Sequence, residues 1–192
     1  MSIRNFNRLF RPASVAPIGA SPRPQSVGSV LAHNLRVGGF TRPILPVNPK
    51  HSAIDGVLAY SGVGSLLLVP DLAVISTPPD AVPGLIAELG ARGTKAAVVI
   101  TAGFGEGNEH ADRGRGLTLR QAMLDAARPH LLRIVGPNCV GIMVPGIGLK
   151  SASRRPASKP AISPSSPNRE RWRPRCSTSP RHAASGSVMW CR

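Results

Sequence analysis

The chain carries 192 residues, with 24 Lys and Arg against 9 Asp and Glu, for a formal net charge of +15. That length suits one domain of ordinary size plus a tail, and no apolar run reaches the roughly 18 residues of a membrane-spanning helix. Ten of the basic residues and a single acid fall from Lys150 onward, so the excess charge is concentrated in the tail; residues 1–149 are only mildly basic, which argues against nucleic acid as the main partner.

The N-terminus has no apolar stretch of signal-peptide length. Cys139, Cys176 and Cys191 form no disulfide or metal spacing. The sequence therefore reads as a cytoplasmic protein without a metal site. Apolar runs and their spacing predict strands at Val15–Ile18, 44–47, 72–76, 96–101 and Arg133–Val135. Helices are expected at 26–37, 81–89 and about 118–127. The runs AVIS and AAVVI are near-continuously apolar, as in a parallel sheet covered on both faces. Val82, Leu85, Ile86 and Leu89 form one helical face. Gly38-Gly39 and the stretch from Gly90 to Gly93 read as helix stops.

The first strand ends at Gly19-Ala20-Ser21, and Ser26-Val27-Gly28 opens the helix after it. Strand, small-residue loop and helix make the phosphate-binding start of a doubly wound α/β domain, where backbone N–H groups and the helix dipole face an anion. Four further loops, at residues 48–50, 77–80, 101–106 and 136–139, should gather with it outside the carboxyl ends of the strands. A dinucleotide-binding fold places an acid at the end of its second strand and uses G-x-G-x-x-G spacing. Here that strand ends Asn48-Pro49-Lys50 and the glycine pattern is absent. A lysine suits a ligand with an extra phosphate, such as CoA or a phosphorylated dinucleotide.

The segments SVAPIGAS, LPVNPKH, DLAVISTPPDAVPGLIAELGARGTKAAVVITAGFGE and LRIVGPNCVGIMVPGIGL together resemble the N-terminal CoA-binding domain of NDP-forming acyl-CoA synthetases. This is the family of ADP-forming acetate–CoA ligase, and it is similar to the succinyl-CoA synthetase α-subunit. The resemblance covers about residues 7–149 and implies a Rossmann-like, doubly wound parallel sheet that binds coenzyme A or acyl-CoA. By motif match, Gly19, Ala20, Ser21, Ser26, Val27 and Gly28 would lie near the CoA phosphates, and Lys50 would offer a charge to a phosphate. Thr77, Pro78, Pro79, Thr101, Ala102 and Gly103 would line the pantetheine and adenine side, with Asn138 towards the thiol.

Complete family members turn acid, CoA and ATP into acyl-CoA, ADP and phosphate. They use a histidine in a later domain and an ATP-grasp module that holds ATP or ADP and Mg. Neither is expected in these residues, so the resemblance implies CoA binding without catalysis. No catalytic residue is assigned: His33, His51, His110, His130 and His182 read as surface or structural, Cys139 as a structural thiol and Glu106 as a solvated carboxylate. The alternatives are a free-standing CoA-binding regulatory protein, the CoA-binding part of a protein lysine acetyltransferase, and an NADP-binding module.

Three departures from the family pattern stand out. Pro17 lies inside the first strand, where a missing N–H should compromise a central strand. SGVGSLLL at 61–68 replaces the usual helix before the third strand. From residue 150 the chain is a basic, Ser/Pro/Arg-rich stretch of disordered composition. Back-translated with GC-rich codons and read in a neighbouring frame, SPSSPNRERWRPRCSTSPRHAASGSVMW yields a segment like AFVSQSGAMATAV, similar to the start of the family's second domain. The tail is thus expected to be a frame-shifted segment. Without that second domain, Ile142, Met143, Val144 and Ile147 are expected to be exposed and to favour association with ligase domains or with the chain itself.

Overall fold

Alternating apolar strands and amphipathic helices fold as the pattern requires. The computed structural model describes residues 5–105 and 110–153, with side chains from Leu117 in the second stretch. A short helix, α1 (Phe6–Phe10), leads into β1 (Val15–Ile18) and α2 (Val27–Val37). A small hairpin of β2 (Ala53–Ile54) and β3 (Val57–Leu58) follows. Then come β4 (Leu72–Ile75), α3 (Val82–Arg92), β5 (Ala96–Val99), α4 (His110–Ala127) and β6 (Arg133–Val135). The described chain closes with a second hairpin, β7 (Met143–Val144) and β8 (Leu149–Lys150).

The main sheet runs β1, β4, β5, β6, and every pair is parallel. Residues 44–47 lie along the free side of β1, bridging Val15 to Ile44 and Ile18 to Val47. The spatial order is therefore 44–47, β1, β4, β5, β6, a doubly wound order whose direction reverses between β1 and β4. One face carries Ala16, Ile18, Ala73, Ile75, Ala97 and Val99, buried under α3 and α4. The opposite face carries Val15, Leu72, Val74, Ala96 and Val98, covered by Leu9 of α1, Leu31 and Leu35 of α2, and Ile142 and Leu149 of the C-terminal hairpin. β1, β4 and β5 are buried at all four positions, as their unbroken apolar runs require.

Pro17 does not break β1, contrary to the sequence expectation, and the reason is the direction of its missing N–H. In a parallel strand, alternate residues bond to opposite neighbours. Val15, Pro17 and Gly19 face residues 43–47: Val15 N–H donates to the Pro43 carbonyl (3.0 Å), Val47 N–H to the Pro17 carbonyl (2.9 Å) and Gly19 N–H to the Val47 carbonyl (3.1 Å). The lost rung is the one Leu45's carbonyl would have received, so the β1–β4 ladder, in register from Val15↔Leu72 to Ile18↔Ile75, is intact.

Residues 61–68 form turns instead of a helix. Val63 and Leu66 still reach the core, and Arg92 at the end of α3 holds the segment by donating to the carbonyls of Gly64 and Leu66, both at 2.7 Å. Leu67 is left 79% exposed.

Two boundary expectations change. Ile142 is only 5% exposed, and Val144 and Ile147 pack against the same core; of the four residues expected to be bare, only Met143 is substantially exposed. The C-terminal hairpin folds back over the sheet and covers them. The packed chain also continues past residue 149. Ser151 is fully buried, with its hydroxyl donating to the Ile142 carbonyl (2.9 Å), and Ser153 N–H donates to the Val140 carbonyl (2.8 Å). Residues 154–192, including Cys176, His182 and Cys191, and Glu106 lie outside the described residues.

Candidate crevice at the carboxyl edge of the sheet

The loop after β1 is shaped by two glycines. Gly19 has φ +84°, and a β-carbon there would sit 3.0 Å from the Ser76 carbonyl group at the end of β4; a β-carbon on Gly28 would overlap the Gly19 carbonyl oxygen. The first turn of α2 thus stands directly on the loop. Ser26 caps the helix: its hydroxyl accepts from Ser29 N–H (3.2 Å) and donates to the Arg23 carbonyl (2.8 Å). The N–H groups of Val27 and Gly28 have no intrahelical acceptor, and the positive end of the helix dipole adds to them.

Hydrogen bonds tie the five loops into one rim. Asn48 Nδ2 donates to the Ala20 carbonyl (2.7 Å), joining the second-strand loop to the first, and Lys50 N–H donates to Asn48 Oδ1 (2.7 Å). Ser76 N–H and Oγ both donate to the Ile18 carbonyl, at 2.9 and 3.2 Å. Thr101 Oγ1 donates to the Thr77 carbonyl (2.7 Å), and Asn138 N–H to the Thr101 carbonyl (2.9 Å). Gly103 approaches the Pro79 ring, with φ +97°. Gly19, Ala20, Ser21, Ser26, Val27, Gly28, Thr77, Pro78, Pro79, Thr101, Ala102, Gly103 and Asn138 therefore share one edge of the sheet.

Lys50 sits at the end of that edge, exposed, on a groove of about 540 Å³ that also takes in Asn48, His51, Tyr60 and Ser65. The Thr77 hydroxyl is buried without a hydrogen-bond partner. Such a group gains most from a ligand that satisfies it. Cys139 Sγ donates to the Val99 carbonyl (3.3 Å). Burial pushes this thiol up from its ordinary range, against the opposing pull of backbone hydrogen bonds at Gly141 and at its own position, so it is poorly suited to act as a thiolate.

Among the described residues no group of three or more His, Cys, Asp or Glu could hold a metal ion, and no helix is long and apolar enough to cross a membrane. His33 lies 3.6 Å from Asp55, His51 lines the groove, and the His130 ring occupies the space that a side chain on Gly90 would need. Sequence reasoning missed Asn48 and Ser76 as the stitches between loops, and it missed the β2–β3 hairpin. Asp55-Gly56 between short apolar pairs was the available signal for that hairpin.

The sequence profile described as CoA binding domain matches residues 13–145. An ADP-forming acetate–CoA ligase from Methanocaldococcus jannaschii is 39% identical over 140 residues, which are 73% of this chain and 19% of that protein. The alpha subunit of ADP-forming acetate–CoA ligase II from Pyrococcus furiosus is 38% identical over 137 residues, 70% of this chain and 28% of that subunit. A solved structure from Ca. Korarchaeum cryptofilum, a dinucleotide-forming acetyl-coenzyme A synthetase 1 in complex with phosphate and ADP, matches with a TM-score of 0.69 at 34% identity, over 77% of this chain and 30% of that one. The chain thus spans only 19–28% of the length of the two ligase relatives.

Proposed function

The chain belongs to the CoA binding domain family, and on that premise we propose how its crevice receives coenzyme A or acyl-CoA. The CoA diphosphate lies against Gly19-Ala20-Ser21 and the capped start of α2 at Ser26, Val27 and Gly28. The ribose 3′-phosphate goes to Lys50. Thr77, Pro78 and Pro79 with Thr101, Ala102 and Gly103 line the adenine and pantetheine path, and Asn138 stands towards the thiol. CoA, when bound, supplies the thiol on which an acyl group is carried.

The observation that carries this reading is the join between α2 and the β1 loop. Only a residue without a side chain at position 28 lets the helix N-terminus approach the Gly19 backbone, and this sets the free N–H groups of the first turn on the same rim as Lys50, where an anion is favoured. The lysine in place of an acid suits a ligand that carries a phosphate besides its diphosphate, and the orphaned Thr77 hydroxyl is free to meet a polar group of the pantetheine or adenine. These residues bind and orient; none of them forms a nucleophile–base pair.

In a longer protein the same domain would serve acyl-CoA formation from acid, CoA and ATP, with the nucleotide, Mg and phosphoryl-carrying histidine held by other domains. Residues 154–192 are read as a frame-shifted counterpart of the segment that follows in such proteins. The test of the CoA reading is a thermal-shift titration of the whole chain with CoA, with NAD and NADP as controls at fixed salt. A CoA-specific rise that follows mass action supports it, and a cooperatively melting chain that ignores CoA sinks it.

A further inference from the structure

We propose that Arg36 and Asp55 are positioning residues for the Lys50 groove: their ion pair latches the β2–β3 hairpin to α2 and thereby fixes the walls that receive the 3′-phosphate. The inference rests on the CoA reading above. Asp55 and Gly56 form the tip of the hairpin with φ of 51° and 79°, the paired positive values of a tight hairpin turn. The turn presents the Asp55 carboxylate to α2, where Arg36 grips it at two points: Nε to Oδ2 at 2.7 Å and Nη2 to Oδ1 at 3.2 Å. His33, one turn earlier on the same helix, places Nδ1 3.6 Å from the same Oδ2.

Behind the latch, Ile54 is buried against Ala32 of α2 and Ala20 of the β1 loop. The hairpin is therefore packed on the phosphate loop itself. Its limbs return to the sheet edge in pairs: Ala59 N–H donates to the Ser52 carbonyl and Asn48 N–H to the Tyr60 carbonyl, both at 2.8 Å. Residues 48–60 thus form a closed excursion, and the groove lies between its two limbs, with Lys50 and His51 on one and Ala59 and Tyr60 on the other. Releasing the tip from α2 frees both walls together.

Arg36 and Asp55 are half-exposed, so the pair adds little to global stability. Its effect is local: a loosened loop holds the binding-competent arrangement for a smaller fraction of the time, and apparent affinity falls by that fraction. The loss should fall on the ligand end nearest Lys50. CoA and 3′-dephospho-CoA differ only there, so comparing them separates positioning from general weakening.

The test uses the whole chain as wild type, Arg36→Met, Asp55→Asn and the double variant. Methionine keeps the aliphatic stem, and asparagine keeps the left-handed turn. Amide hydrogen exchange should quicken across residues 49–59 in each variant while β4 and β5 amides are unchanged. CoA binding should weaken about fivefold, dephospho-CoA binding should stay within about twofold, and the double variant should be no worse than either single one. Unchanged exchange at 49–59, or equal losses for both ligands, would overturn the inference. If the wild-type chain binds no CoA, the ligand reading falls and this inference with it; that outcome is told apart because the exchange difference survives.

Discussion

The backbone of Gly28 stands so close to the Gly19 carbonyl oxygen that a β-carbon on residue 28 would overlap it. Two effects compete in Gly28→Ala. Alanine improves helix propensity by about 1 kcal/mol, while forcing a methyl group into a packed backbone costs about 1–3 kcal/mol. The obstacle is a main-chain atom of a buried junction and cannot rotate away, so the overlap wins. The variant should lose about 1 kcal/mol in urea denaturation and lose CoA binding more severely than stability. A variant as stable as wild type with unaltered CoA affinity would show that α2 does not rest on the loop.

Lys50→Ala should weaken CoA binding by about tenfold, the value of one charge-assisted contact. Lys50 is exposed, so the wild-type advantage should shrink as salt rises. Isothermal titration at two ionic strengths checks both points, and an affinity independent of residue 50 would remove it from the site.

Pro17→Val restores the N–H that Leu45's carbonyl lacks. The gain of about 1 kcal/mol for one hydrogen bond outweighs or equals the smaller entropic advantage of proline in the unfolded chain, about 0.4–1 kcal/mol. The variant should therefore unfold at the same or a slightly higher urea concentration. A clear fall in stability would mean that Pro17 is better fitted to β1 than its hydrogen bonding indicates.

Burial raises the Cys139 thiol, so at neutral pH it stays protonated. Iodoacetamide should label the peptide containing Cys139 more slowly than an unfolded control, and peptide mass spectrometry reads that site apart from Cys176 and Cys191. The sign for stability follows from the raised folded-state value. The contribution is complete below the unfolded thiol's range and is lost as pH rises through the folded one, so the chain should weaken in the alkaline range. Cys139→Ser should flatten that alkaline slope.

The frame-shift reading of the tail is settled by sequencing the gene through codons 145–192. An inserted or deleted base near the end of the packed region is the expected result. An intact frame in a clean read would make the tail a genuine extension.

The strands and the order of loops were legible because periodicity and apolar runs are local properties. β1 and β6 begin and end where the runs do, and α2 stops at Val37 before Gly38-Gly39. The 44–47 segment was harder to read. Its apolar content marks a strand, but the missing Pro17 N–H interrupts the ladder and leaves two isolated bridges along β1. The short hairpins escaped notice because two-residue strands leave almost no period to detect.

By itself the sequence determined a parallel α/β sheet, a glycine-lined first loop, and a lysine in place of the usual acid, since each depends on residue type and spacing within a few positions. Only the tertiary structure decided which side of β1 the Pro17 gap faces, that residues 150–153 belong to the packed chain, and that Asp55 at the hairpin tip reaches Arg36 on α2. Those outcomes depend on which neighbour each backbone group meets, and chain segments tens of residues apart meet only when the sheet is assembled.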